Sequence, residues 1–190
     1  MRKEGYKVLT LTASMIMLLA SVVTGIYSII RFTGSPRQDM TVLTQDTIKS
    51  YVERLAYEEL AVCCFVALLF GIFGIAMSFT SGNYYSKGER YFLTSIWLIA
   101  AIVTISIFAA PAINKLAYKP QVVAVQVTGR QKGHISAPYS SFIFRFSNGS
   151  RHNVSREEYD NVPNGAKYYV IMCGPTCAGA FNPDNCCDLS

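Results

Sequence analysis

Three long stretches without a single Asp, Glu, Lys, Arg or His govern what this chain can fold into: Val8–Ile30, Leu60–Thr80 and Tyr91–Ile113. A bilayer's hydrocarbon core is about 30 Å thick, so about 20 mostly apolar residues make a spanning helix. Each stretch reaches that length. In lipid every peptide group must bond within its own segment, which leaves helix as the only option for an isolated stretch. Of the 190 residues, 15% are charged and 51% hydrophobic, which excludes a disordered or collagen-like chain. The sequence therefore predicts a bundle of three transmembrane helices, about 8–30, 44–80 and 91–113, within a domain of residues 1–117. A small all-β, barrel-like domain with a Cys-rich tail follows over residues 118–190.

The first stretch has a rival reading. Met1–Lys7 is basic and Val8–Ala20 matches the apolar part of a secretory signal. The apolar run continues to Ile30 and no A-x-A site is present, which favours a retained helix. Arg2, Lys3 and Lys7 flank the first helix and place the N-terminus in the cytoplasm. Three crossings then put the C-terminal domain on the extracytoplasmic side of the cell membrane, and cleavage of a signal would leave it there too.

Uncharged spans carry none of the ionisable groups that transporters and proton relays use. Small residues recur at helix-packing spacing instead: Ser21 and Gly25 in the first stretch, Ala67, Gly71, Gly74 and Ser78 in the second. They suit packing within the bundle, or, on a second reading, self-association or docking to a membrane-protein partner. Trp97 reads as a packing residue. Tyr84, Tyr85 and Tyr91 sit where an interfacial aromatic belt belongs.

Gly34, Ser35 and Pro36 mark a turn. From Thr44 the pattern is helical. Ile48, Val52 and Leu55 share a face, with Tyr51 beside them; Thr44 suits an N-cap and Asp46 the first turn. Nothing breaks this stretch before the second span, so one long helix is expected, its apolar stripe lying at the membrane interface or against the tail domain. Pro111 is expected to kink or end the third helix.

Beyond Lys119 the period changes from helical to alternating. Gln121–Thr128, Ser141–Phe146, Arg151–Val154 and Lys167–Cys173 read as strands, with Gly129–Pro138 as a loop and Asn148-Gly149 and Asn164-Gly165 as turns. Ser155-Arg156-Glu157-Glu158 fits a capping box, with Ser155 at the N-cap and Glu158 reaching back. Phe142, Phe144 and Phe146, then Asn148-Gly149, Val154-Ser155, Glu157-Glu158-Tyr159, Gly165, Tyr168 and Val170 form a pattern. This pattern resembles a module of uncharacterised bacterial membrane proteins, in which N-terminal transmembrane helices precede a small β-barrel. The resemblance spans about the last third of the chain. It departs at Ala166, where an acidic residue is usual, and in the Cys-rich end. It implies a fold and no catalytic residues.

Cys63 and Cys64 are adjacent on a helix, about 100° apart, and read as packed thiols. Cys173, Cys177, Cys186 and Cys187 are disulfide candidates in an extracytoplasmic domain, with Cys173 and Cys177 each pairing to one of the last two. Free or lipidated thiols and a four-cysteine zinc site are the other readings, though the spacing is poor for zinc. His134 and His152 read as surface residues. Asn148-Gly-Ser150 and Asn153-Val-Ser155 match a glycosylation acceptor. No phosphate loop, dinucleotide fingerprint or nucleophile elbow occurs, so no cofactor, metal or catalytic residue is expected. The net charge of +5 is spread along flanks and strands, which suits membrane lipid rather than nucleic acid. The function these features favour is non-enzymatic: an integral membrane protein that presents a small β domain for protein interaction. The alternatives are an accessory subunit of a channel or transporter complex and a thiol-redox membrane protein.

Overall fold

The computed structural model describes residues 5–34, 44–80, 86–134 and 140–183. Helices α1 (Gly5–Gly34), α2 (Gln45–Thr80) and α3 (Lys87–Ala117) precede strands β1 (Gln121–His134), β2 (Ser140–Phe146) and β3 (Arg151–Val154). A short helix α4 (Arg156–Asn161) and strands β4 (Lys167–Cys173) and β5 (Thr176–Phe181) complete the described chain. The described residues form two compact units: 5–34 with 54–80 and 86–113, and 44–53 with 114–134 and 140–183. The expected turn at Ser35–Pro36, and Tyr84 and Tyr85, lie outside the described residues.

The helical unit is built inside out. The buried face of α1 is Tyr6, Thr10, Ser14, Ser21 and Ser28, while Val8, Leu9, Ile16, Leu19, Val23 and Ile30 are exposed. The same inversion holds on α2 and α3, where Phe65, Phe73, Ile99 and Ile107 face outward. A surface of this kind is stable only in an apolar solvent. All three helices are long and apolar enough to cross a membrane. Three of the buried hydroxyls on α1 bond to their own helix: Thr10 Oγ1 donates to Tyr6 O at 2.7 Å, Ser14 Oγ to Thr10 O at 2.7 Å and Ser21 Oγ to Met17 O at 2.6 Å, while Ser28 Oγ is buried without a partner among the described residues. Thr10 and Thr94 then meet hydroxyl to hydroxyl at 3.2 Å, linking α1 to α3.

Close approach of the helices rests on glycine. A Cβ on Gly71 would lie 2.7 Å from Leu18 Cγ, and one on Gly74 would collide with the Ser14 hydroxyl and the Trp97 ring. Trp97 is accordingly buried. Ala67 and Ser78 are buried on the same helix, Ser78 Oγ donating to Gly74 O at 2.9 Å. A Cβ on Gly25 would stand 3.3 Å from Cys64 Cβ. Cys63 is buried, its thiol toward the Ile105 carbonyl at 3.7 Å. Gly25, Gly71 and Gly74 thus stand where these helices approach one another closely.

Aromatic rings and cations gather at both ends of the unit. At one end Arg90 lies over the Tyr6 ring and donates to its hydroxyl at 3.0 Å, with Tyr91 edge-on. At the other, Tyr27 meets Tyr57 edge-on, Arg31 covers Tyr27 and Arg54 covers Phe32. The helical rise from Tyr6 to Tyr27 is about 30 Å, the thickness of a hydrocarbon core. Pro111 lies inside α3, which continues to Ala117 rather than ending there.

The second unit is a five-stranded antiparallel sheet in the order β3-β2-β1-β4-β5. Strand β1 holds it together. Its first half, Gln121–Gln126, pairs with β4, and after an irregularity between Val127 and Gly129 its second half pairs with β2. A bulge of this kind bends the strand and strengthens its twist. The sheet therefore curls, and its two outer strands approach until His152 Nδ1 on β3 stands 4.0 Å from Cys177 Sγ on β5, a nearly closed small barrel. The segment Gly129–His134 is strand, not the expected loop, because it pairs residue for residue with Ser140–Arg145.

The barrel interior is Val125, Val127, Phe144, Phe146, Tyr168 and Val170. Its rings pack edge to face or tilted, with Phe144, Phe146 and Tyr168 centroids 5.7–6.4 Å apart. A second core lies on the other face of β4. There Ile171, Cys173 and Ala178 bury against Ile48 and Val52 of α2, with Tyr51 and Phe181 edge-on at 5.7 Å. The apolar stripe of α2's first turns therefore packs on the tail strands. Thr44 caps that helix as expected, its Oγ1 accepting from Thr47 N at 3.2 Å. Strand β5 lay unseen in the sequence. Gly174, with φ +57, and Pro175 make the tight turn that creates it.

Two substitutions test these cores. Ile171→Ala should destabilise the purified chain by about 2–5 kcal/mol, read by denaturant unfolding in mild detergent. Gly74→Leu should lower the melting temperature through overpacking of about 1–3 kcal/mol, while Gly88→Leu, where a Cβ meets nothing within 4 Å, should not.

Candidate interaction surface

The β unit carries its charge unevenly. The five strands hold Arg130, Lys132, Arg145, Arg151 and Lys167, all exposed, and not one Asp or Glu; the unit's described acidic residues are Asp46 and Glu53 on α2 and Glu157, Glu158 and Asp160 on α4. Register sorts the cations between the two faces, since cross-strand partners share a face. Arg130 pairs with Phe144 and Lys132 with Phe142, on the interior side at the end of the β1–β2 hairpin. Arg145 pairs with Arg151, and Lys167 with Gln126, on the outer side.

On the interior side, α4 closes the barrel mouth. Ser155 is its N-cap, the side chain accepting from Glu158 N at 3.1 Å. Glu158 does not reach back as a capping box would. Its carboxylate accepts from the Tyr168 hydroxyl at 2.7 Å, tying the helix to β4. A buried phenol needs such a partner. Arg130 donates to the carbonyls of Tyr159 at 2.9 Å and Val162 at 3.2 Å, at the helix's other end. Its guanidinium lies 5.6 Å from the Tyr159 ring centroid, and Lys132 Nζ lies 5.7 Å from that of Phe142. Phe142 and Tyr159 pack on each other at 5.0 Å. The result is a half-exposed platform of two rings flanked by two cations. Sequence reading treated Gly129–Pro138 as a loop and so missed it; the signal was the alternation of Arg130 and Lys132 opposite Phe144 and Phe142.

The thiols are placed differently from expectation. Cys173 and Cys177 are free thiols, and no disulfide is supported among the described residues. Alternation turns these two thiols apart: Cys173 faces the outer core with Ile171, while Cys177 faces the barrel interior. Cys186 and Cys187 lie outside the described residues. No group of three or more His, Cys, Asp or Glu able to hold a metal occurs among the described residues. His152 is not a surface residue. Burial pushes its imidazole below the usual 6.5, with Lys115 adding to the shift and Glu158 opposing it. Burial likewise pushes the Cys177 and Cys173 thiols up. The Cys177–His152 contact is thus a neutral thiol beside a neutral imidazole, the opposite of an activated thiolate–imidazolium pair. The His134 side chain lies outside the described residues. Asn148 stands in the β2–β3 turn, its Oδ1 accepting from Ser150 N at 3.0 Å, and Asn153 is exposed on β3.

Comparison with protein-family models gives no match, and no curated protein or solved structure matches the chain.

Two measurements check this geometry. Ser155→Ala should cost about 1 kcal/mol of unfolding free energy. His152 is held neutral in the fold, so the unfolded chain binds its proton first as pH falls. Its contribution is complete above 6.5 and is lost as pH falls toward the depressed folded value. Melting temperature should therefore drop between pH 7.5 and 5.5, and His152→Leu should flatten that drop.

Proposed function

We propose that this is a non-enzymatic multi-pass membrane protein whose small β domain binds a second membrane protein at the membrane surface. The observation that carries the reading is the platform of Arg130, Lys132, Phe142 and Tyr159 at the barrel mouth. Aromatic and arginine side chains of this kind are the groups that anchor protein interfaces. The neutral state of Cys177 and His152 supports the same reading over thiol-redox chemistry. The channel-subunit alternative leaned on Gly71, Gly74 and Ser78, and these contact α1, α3 or their own helix.

We place the N-terminus in the cytoplasm and the β domain outside it, because Arg2, Lys3 and Lys7 flank α1 and three crossings follow. Protease access to the β domain on intact cells tests this orientation: cleavage without permeabilisation is expected, and protection would reverse it.

The partner reading is tested by purification from mild detergent. The full chain should retain a stoichiometric membrane protein, and Lys132→Glu with Phe142→Ser should reduce that protein at least about tenfold, as loss of interface anchors does. Retention by the double variant would overturn the platform as the contact.

A further inference from the structure

The outer face of the barrel carries a feature that the platform does not explain. Arg145 and Arg151 are direct cross-strand partners. Like charges placed opposite each other weaken a sheet. Among the described residues no carboxylate pairs with either; Arg145 Nη2 donates only to Gln131 Oε1 at 2.7 Å. Gly129 stands opposite Arg145 on its other side and leaves the guanidinium uncovered. Along the same face, Ser147 is two residues beyond Arg145 and lines a shallow hollow with Ala124, Gln126, Lys167, Tyr169 and Pro183. Three cations, a serine hydroxyl and a hollow therefore share one face of the sheet, whose strands carry no acidic side chain.

We infer that this face binds the phosphate headgroups of anionic phospholipid. Guanidinium forks match phosphate oxygens, and two adjacent unpaired guanidinium groups are the charge complement of an anionic headgroup. Three helices of this chain are long and apolar enough to cross a membrane, so phospholipid is the phosphate ester present wherever the protein resides. The bound phosphate also removes the repulsion between Arg145 and Arg151, so the sheet is tightened where it is otherwise weakened. This site lies on the face opposite the aromatic platform, and its loss leaves the partner reading standing.

The test uses the purified full chain in neutral detergent, titrated with monomeric dihexanoyl-phosphatidylglycerol and dihexanoyl-phosphatidylcholine. The anionic lipid should bind more tightly, with an affinity that falls as salt rises. Arg145→Gln and Arg151→Gln should each weaken it about fivefold. Arg156→Gln, on α4 and paired with Asp160, should leave it unchanged. Lys167→Gln gives a second reading should either arginine variant fail to fold. Equal affinity for the two lipids, or phosphatidylglycerol binding unaffected by the arginine and Lys167 variants, would overturn the assignment. So would inorganic polyphosphate that binds this face in preference to phosphatidylglycerol.

Discussion

Strand β4 is buried on both faces, and the β unit depends on that fact. Tyr168 and Val170 point into the barrel, while Ile171 and Cys173 point out and are covered by Ile48 and Val52. An antiparallel sheet ordinarily leaves one face to water. A small barrel of this size has little core of its own. Borrowing the first turns of α2 gives it a second apolar layer on the same strand. The layer explains why α2 is continuous from Gln45: its early residues belong to one core and its later ones to another.

In the helical unit the same physics runs with its sign reversed. Serine, threonine and glycine go inside, where they let backbones approach, and Leu, Ile, Val and Phe go outside. The hydroxyls of Thr10, Ser14 and Ser21 each meet a carbonyl one turn back, and Thr10 also meets Thr94 across the bundle, which removes the cost of leaving those groups dry. The rings and cations at the two ends mark where the apolar solvent stops.

Much of this was legible residue by residue. The uncharged stretches announced three helices, Thr44 announced the start of α2, and Lys167–Cys173 read as a strand from its β-branched and aromatic run. Ser155 announced the cap of α4, although Glu158 turned to Tyr168 because a buried phenol competes more strongly for its carboxylate than an exposed backbone amide does. Strand β5 was not legible. Its six residues, Thr176–Phe181, are small and weakly alternating, and they become a strand because β4 offers an edge. The extension of β1 to His134 was hidden for a similar reason, since Gly129 and Gly133 read as loop until β2 is set beside them.

The sequence by itself determined the solvent of each segment and the period of each element, because hydropathy and alternation are local properties. Only the tertiary structure decided which side chains meet. That Arg145 faces Arg151, that Cys173 and Cys177 point apart, and that His152 is half-buried at a barrel seam all follow from register and curl. A one-residue slip or the absence of the bulge near Thr128 would reverse those placements. Register is set by the packing of distant strands, and no local stretch of sequence contains it.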